Sequence, residues 1–393
     1  MNELFLQKAK ALKPRLIKRG IVAVGEYGEM KKGDVKIFDL KNHCVGHMTM
    51  RCKVLSGVPD APVLFRFQFA ENKAELSTNI DLTAEGVLSG AWIQEEQVRV
   101  DYIEIPIKLS RRYACRYVTV ECLAASSGFT FAIDEILFTE TTSAKGRVKI
   151  AGKTDEEKGI DSVALRTLRS CMQEVFEDGP KRDRRLWLGD LRLQALVNYQ
   201  TYKNYDLVKR CLYLFAGSVT ENGKMHGCVF TKPYVYGWGS SMFDYPLLFP
   251  ACLLEYLDAT GDFETARELF PTAKKQVELV GACFDKNGLI QGDSVGWCFI
   301  DWSEGVDRCA CAQAVYIYAL KTLKKLGEKL NADMAYLNCE IEQKTKAALQ
   351  TFYDGEKGLV VQPSGKIVYV DNVWFCLAEL FTKEECATIL TRL

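Results

Sequence analysis

"EDGPKRDRRLWLGD", residues 177–190, is the stretch on which the reading of the fold turns. Four carboxylates (Glu177, Asp178, Asp183, Asp190) and four cations (Lys181, Arg182, Arg184, Arg185) stand around Trp187. An Asp beside an Arg is ordinarily a solvated pair or a helix cap, and a Trp is ordinarily core. What the segment does therefore depends on what flanks it, and the two flanks differ in period.

Upstream, from Val22 to about Thr142, the chain runs in short alternating stretches: DVKIFDL, HMTMRCKVL, VLFRFQFA, VRVDYIEI, RRYACRYVTVEC and FTFAIDEILF. Period-two alternation broken by Gly, Asn, Asp and Ser predicts an antiparallel β-sandwich over residues 1–145. Its strands carry aromatics that look exposed, Phe65, Phe67 and Trp92 among them. The next stretch, TTSAKGRVKIAGKTDEEKG, is small and charged, and reads as a linker over residues 146–159.

Downstream, apolar residues recur at helical spacing: Leu165, Leu168, Met172 and Val175, then LQALVNYQTY, DLVKRCLYLFAG, YPLLFPACLLEYLDATG and FETARELFPTAKKQVELVG. AQAVYIYALKTLKKLGEKL, NADMAYLNCEIEQKTKAALQTFY and DNVWFCLAEL continue the pattern, and Thr382 with Glu385 forms a capping box for a last helix. About nine helices follow the linker, in antiparallel pairs, and no fixed-length repeat is visible. The longer loops between them share one chemistry. Residues 177–190 carry Trp187, PYVYGWGSSMFDYP carries Trp238 and Asp244, and GDSVGWCFIDWSEGVDR carries Trp297, Asp301 and Trp302. Indole faces with carboxylates suit a sugar, whose C–H faces stack while its hydroxyls need fixed acceptors.

Composition narrows the alternatives. The 393 residues balance 51 basic against 51 acidic side chains, so no global field favours nucleic acid or an anionic membrane. KRDRR is too short and too interleaved with Asp to be a nucleic-acid patch. The basic, amphipathic N-terminus lacks the apolar core of a secretory signal, and no run is long enough for a membrane span, so a cytoplasmic protein is expected. Fifteen cysteines without CxxC pairs read as buried thiols. GxxxxGK[ST], GxSxG and HExxH are missing, as is GxGxxG after a strand; GWGSS at 237–241 reads as a tight turn before a helix. Asp178, Asp183 and Asp190 offer hard oxygen ligands, yet nothing fixes a metal site, and neither metal nor cofactor is expected.

With these residues in view, the chain resembles the α-L-rhamnosidases of glycoside hydrolase family 78, which place a β-sandwich before an (α/α)6 toroid of six helical hairpins. The resemblance spans most of residues 160–393. An Asp-x-Pro segment followed by an acidic residue seven positions before the Asp of Trp-x-Gly-Asp is met by Asp178, Pro180, Asp183, Trp187, Gly189 and Asp190. MFDYPLLFP is similar to a second family stretch through Asp244 and Pro250, with Met242 in place of Trp, and FIDW to a third through Asp301 and Trp302. RYVTVEC resembles a strand of an accessory sandwich, more weakly.

The resemblance implies inverting hydrolysis of a terminal α-L-rhamnosyl or related residue, in which one carboxyl protonates the leaving oxygen while another activates water on the opposite face. Asp183 takes the acid's position, where the family more often has Glu. Asp178 and Asp190 are implied to hold sugar hydroxyls, and Trp187, Trp238, Asp244, Trp297, Asp301 and Trp302 to line the binding site. Arg182 either recognises substrate or neutralises its acidic neighbours. On this reading residues 177–190 are a site wall whose cations limit carboxylate repulsion. The family's base, a Glu in a segment resembling Gly-Ala-x-Thr-x-Trp-Glu, has no counterpart, and about nine helices of twelve make the expected toroid incomplete. Two functions follow as expectations: a glycoside hydrolase of rhamnosidase type, or a carbohydrate-binding or scaffold protein on the same fold. The expected partner is a carbohydrate; the oligomeric state is left open.

Overall fold

The computed structural model describes residues 2–77, 85, 90–146, 148–239, 242–299 and 307–393. They pack as two compact units, Pro14–Arg184 and Met1–Lys13 with Arg185–Leu393.

The first unit is built on one antiparallel sheet, of nine strands among the described residues: β1 (Ile17–Val22), β2 (Val24–Gly25), β3 (Gly28–Met30), β4 (Val35–Gly57), β5 (Val63–Ala70), β6 (Glu95–Val100), β7 (Ile107–Lys108), β8 (Tyr113–Ala124) and β9 (Phe129–Thr142). Its main order is β1-β9-β4-β8-β5-β6. The long β4 pairs with β8 through residues 35–46 and with β9 through residues 46–57. Strands β5 and β9 stand three positions apart in that order, which in a flat sheet means about 14 Å. Phe65 on β5 nevertheless meets Phe131 on β9 edge-on, with ring centroids 5.9 Å apart. The sheet therefore doubles over into a sandwich, and its inner faces enclose the core. Phe65 and Phe67, which look exposed in the sequence, are fully buried there, because alternate residues of β5 point inward. Trp92 is half-buried in a one-turn 3-10 helix.

Helix α2 (Asp155–Cys171) packs on β9 and β4 and belongs to this same unit. It begins inside the stretch expected to be a linker, because Thr154 and Glu157 form a reciprocal capping box. Its far end is tied to β9, where the Thr142 hydroxyl reaches the Arg169 carbonyl at 2.8 Å.

In the second unit, α1 (Glu3–Ala11) is followed by α3 (Leu188–Gln200), α4 (Tyr205–Gly217), α5 (Asp244–Thr260), α6 (Phe263–Gly281), the single turn α7 (Gly292–Val295), α8 (Cys309–Lys329), α9 (Leu337–Phe352), α10 (Tyr369–Leu377) and α11 (Lys383–Arg392). Ten helices, α2 to α11, thus follow the sheet among the described residues. Helix α5 is apolar on every side and buried along most of its length, as an inner helix must be. It packs between α3 and α8, and α8 in turn packs against α10. Arg192 of α3 pins three of these helices, donating to Glu255 of α5 at 2.7 Å and to Tyr318 of α8 at 2.8 Å. The capping box of α11 forms as expected. The basic N-terminal stretch is α1, which docks on α4: Asn2 donates to the Gly217 carbonyl at 2.8 Å, and Phe5 meets Tyr213 at 5.8 Å.

Candidate functional site

Residues 177–190 are divided between the units. Up to Arg184 they belong to the β unit, and from Arg185 to the helical one.

In the β unit, Glu177 is buried and ion-paired to Arg112 at 2.7 Å. Asp178, partly exposed, leads into a turn in which the N–H groups of Arg182 and Arg184 both reach the Gly179 carbonyl, at 3.2 and 3.0 Å. Arg182 is half-exposed and donates to Asp183 Oδ1 at 3.0 Å. Arg184 is instead a structural cation, donating to the Pro180 and Arg112 carbonyls. Burial and the nearby Arg112 lower its pKa.

In the helical unit, Leu186 and Trp187 form β10, which pairs with β11 (Cys228–Phe230), itself paired with β12 (Tyr236–Trp238). Trp187 and Trp238 both stand opposite Cys228, so the ladder puts the two indoles in one row. Their centroids lie 5.8 Å apart at 89°. Trp297 joins them, 6.4 Å from Trp187 and 5.6 Å from Trp238, and its carbonyl accepts from Phe243 at 2.8 Å. Tyr245 completes the group, 5.9 Å from Trp187 at 89°. A Cβ on Gly189 would come within 2.8 Å of the Tyr245 ring, so only glycine lets α3 and α5 begin this close together. Edge-to-face contacts leave ring faces unstacked on one another, and Trp238 keeps 48% of its surface exposed. Arg185 lies 4.7 Å over Phe230 and 6.0 Å from the Trp238 centroid, bordering the cluster with a cation.

Three carboxylates stand in the first turns of helices, and two of them, Asp190 and Asp244, are close in sequence to these rings. Asp190 is in the first turn of α3. Asp244 opens α5 and is 5% exposed, and burial pushes its pKa up to about 6 against hydrogen bonds from the backbone and the Cys298 thiol. The Phe299 N–H reaches it at 3.2 Å. Asp371, in the first turn of α10, is likewise pushed up to about 6 by burial; Gln362 donates to one of its oxygens at 2.8 Å. Starts of inner helices present partial positive charge, which makes them tolerant hosts for acidic groups.

The structure thus brings Trp187, Trp238, Trp297 and Tyr245 together, with Asp244 directly preceding Tyr245. Asp178, Arg182 and Asp183 share one turn in the other unit. Asp301 and Trp302 lie outside the described residues. Sequence reasoning missed Tyr245, whose signal was Gly189, a glycine demanding close approach. Among the described residues no group of three or more His, Cys, Asp and Glu could hold a metal ion, and no helix is long and apolar enough to cross a membrane.

The sequence matches the family model of the glycosyl hydrolase family 78 alpha-rhamnosidase N-terminal domain over residues 7–140. It matches the bacterial alpha-L-rhamnosidase 6 hairpin glycosidase domain over residues 155–382. The chain belongs to glycoside hydrolase family 78. Among solved structures it is similar to a rhamnosidase from Klebsiella oxytoca with rhamnose bound, at 36% identity and a TM-score of 0.93, over 100% of this chain and 82% of that one. A family 78 rhamnosidase of Bacillus sp. GL1 shares the fold at 19% identity and a TM-score of 0.73, over 93% of this chain and 38% of that one. So does a Streptomyces avermitilis α-L-rhamnosidase complexed with L-rhamnose, at 16% and 0.70, over 97% and 35%. A comparison with curated proteins found no match. The family accounts for the order of the fold, a β-sheet unit followed by a helical one.

Proposed function

We propose that this family 78 glycosidase acts on terminal α-L-rhamnosyl groups by inversion, in carbohydrate breakdown. The observation that carries the reading is the cluster of Trp187, Trp238, Trp297 and Tyr245, built on the Trp-x-Gly-Asp motif and bordered by Asp190 and Asp244. Its unstacked indole faces suit the C–H faces of a sugar, with Asp178, Asp190, Asp244, Asp301 and Trp302 completing the binding groups. Asp183 is the proton donor to the leaving oxygen, at the position the family motif gives the acid. The base that activates water in such a mechanism has no Trp-Glu counterpart anywhere in the sequence. Fifteen cysteines, none of them in a disulfide, support a reducing compartment, and so the cytoplasm.

Calorimetry with L-rhamnose and release of nitrophenol from a nitrophenyl α-L-rhamnoside test this together. The expected result is binding that Trp187→Ala and Asp178→Asn both abolish, with turnover about 10² to 10⁴ below that of the Klebsiella rhamnosidase, the usual contribution of a general base. Absence of L-rhamnose binding overturns the sugar reading. Turnover at the Klebsiella rate, lost in Asp183→Asn, would instead assign the base to a carboxylate of this sequence, Asp301 or Glu304 first. Binding without any turnover leaves the carbohydrate-binding alternative.

A further inference from the structure

The turn that carries Asp178 and Asp183 is gripped by the β unit at four separate places. Arg112, immediately before β8, donates from one guanidinium nitrogen to both oxygens of Glu177, at 2.9 and 2.7 Å. The two side chains are only 17% and 8% exposed. Gln94, buried, accepts from the Ala114 N–H of β8 at 2.9 Å and donates to the Lys181 carbonyl at 2.7 Å. The Lys181 ammonium reaches Glu75 at 2.5 Å and Glu71 at 3.4 Å. Arg184 donates to the Arg112 carbonyl at 2.7 Å, with its own backbone left-handed at φ 58°.

A solvated loop of mixed charge needs none of this. Buried polar groups such as Gln94 and Glu177 persist because they are satisfied by specific partners, so what they specify is a single arrangement of the chain. A left-handed backbone at a residue with a long side chain likewise persists only where its surroundings hold it. Each of the four attachments ends on the segment between Glu177 and Arg184, and together they bracket both Asp178 and Asp183.

We infer that Arg112, Gln94, Glu71 and Glu75 are positioning residues for sugar recognition and proton donation: the β unit is the mount on which the acid-bearing turn is held. This rests on the assignment of Asp178 and Asp183 to the sugar site.

Trypsin provides a direct readout, since Lys181, Arg182, Arg184 and Arg185 are all cleavage sites. In Arg112→Gln, cleavage within 181–185 is expected to quicken about tenfold as the turn opens locally. L-rhamnose affinity should fall about tenfold or more with the displaced carboxylate. Because a single nitrogen bridges both Glu177 oxygens, Arg112→Lys should restore both properties to within about threefold. The control Arg116→Gln breaks an ion pair of the same sheet with Asp39 and should change neither. If Arg112→Gln does not fold, Glu71→Gln combined with Glu75→Gln alters only partly exposed groups, and should give about threefold effects with an unchanged thermal midpoint. Unchanged cleavage in a folded Arg112→Gln, or in the double variant, overturns the mount. Faster cleavage with full L-rhamnose affinity leaves the mount standing and removes Asp178 and Asp183 from the sugar site. Loss of affinity without faster cleavage overturns the mount as the cause.

Discussion

Between Glu177 and Arg184 the chain is positioned by ion pairs and buried polar contacts, whereas from Arg185 to Asp190 it is positioned by a strand ladder and aromatic edges. The two halves are consecutive in sequence and belong to different packing units. Charge-rich sequence can be placed accurately only if each buried charge finds a partner, and those partners come from distant strands. Aromatic sequence needs shape: a missing Cβ at Gly189 and a ladder register that sets Trp187 level with Trp238.

The contrast can be broken by removing one partner at a time. The largest effect is expected from Arg112→Leu, which leaves Glu177 buried without its cation and should cost about 3–5 kcal/mol in urea unfolding of the β unit. Adding Glu177→Leu should recover most of the loss, because an apolar pair needs no partner; a double variant as unstable as the single one would show that the arginine acts through packing alone. Trp187→Ala comes next, at about 2–3 kcal/mol, since a half-buried indole loses three ring contacts. That loss should be the same in low and high salt, and a marked salt dependence would contradict placement by shape.

Asp371 sharpens the comparison from the other side. It is a buried carboxyl that accepts from the Gln362 amide, where Glu177 meets a guanidinium, and burial raises its pKa to about 6. With a folded pKa of about 6 against an ordinary value near 3.8, the folded state holds the proton more tightly than the unfolded one. Its ionisation therefore favours unfolding: the stability is complete below pH 4 and is lost as pH rises through about 6. Asp371→Asn should match the parent below pH 4 and exceed it by about 3 kcal/mol at pH 8, with denaturation followed at both pH values. Equal stability at pH 8 would mean that the ionised carboxylate is compensated. The smallest effect is expected at Arg182, half-exposed beside Asp183, where Arg182→Ala should change stability by less than about 1 kcal/mol.

Much of this was legible in the chain itself. Period-two stretches such as VLFRFQFA became strands, helical spacing became helices, and the Trp-x-Gly-Asp motif at residues 187–190 marked the aromatic cluster. These signals are local, because alternation and spacing depend on which side of one element faces a core. The family motifs added the expected roles, and family membership is borne out by matches over residues 7–140 and 155–382.

Tertiary structure decided what depends on partners far away in sequence. Phe65 and Phe67 looked exposed because period alone does not say which face of a strand turns inward; the doubling of the sheet buried both. Helix α1 begins the chain yet packs with residues beyond Arg185, since the groove for Phe5 is made by α4. Family similarity divides the chain between residues 140 and 155, whereas packing divides it between Arg184 and Arg185. That second boundary is invisible in the sequence for a physical reason: whether Glu177 and Lys181 belong to one unit or the other is settled by where Arg112, Gln94 and Glu75 lie, and those residues are about 65 to 106 positions away along the chain.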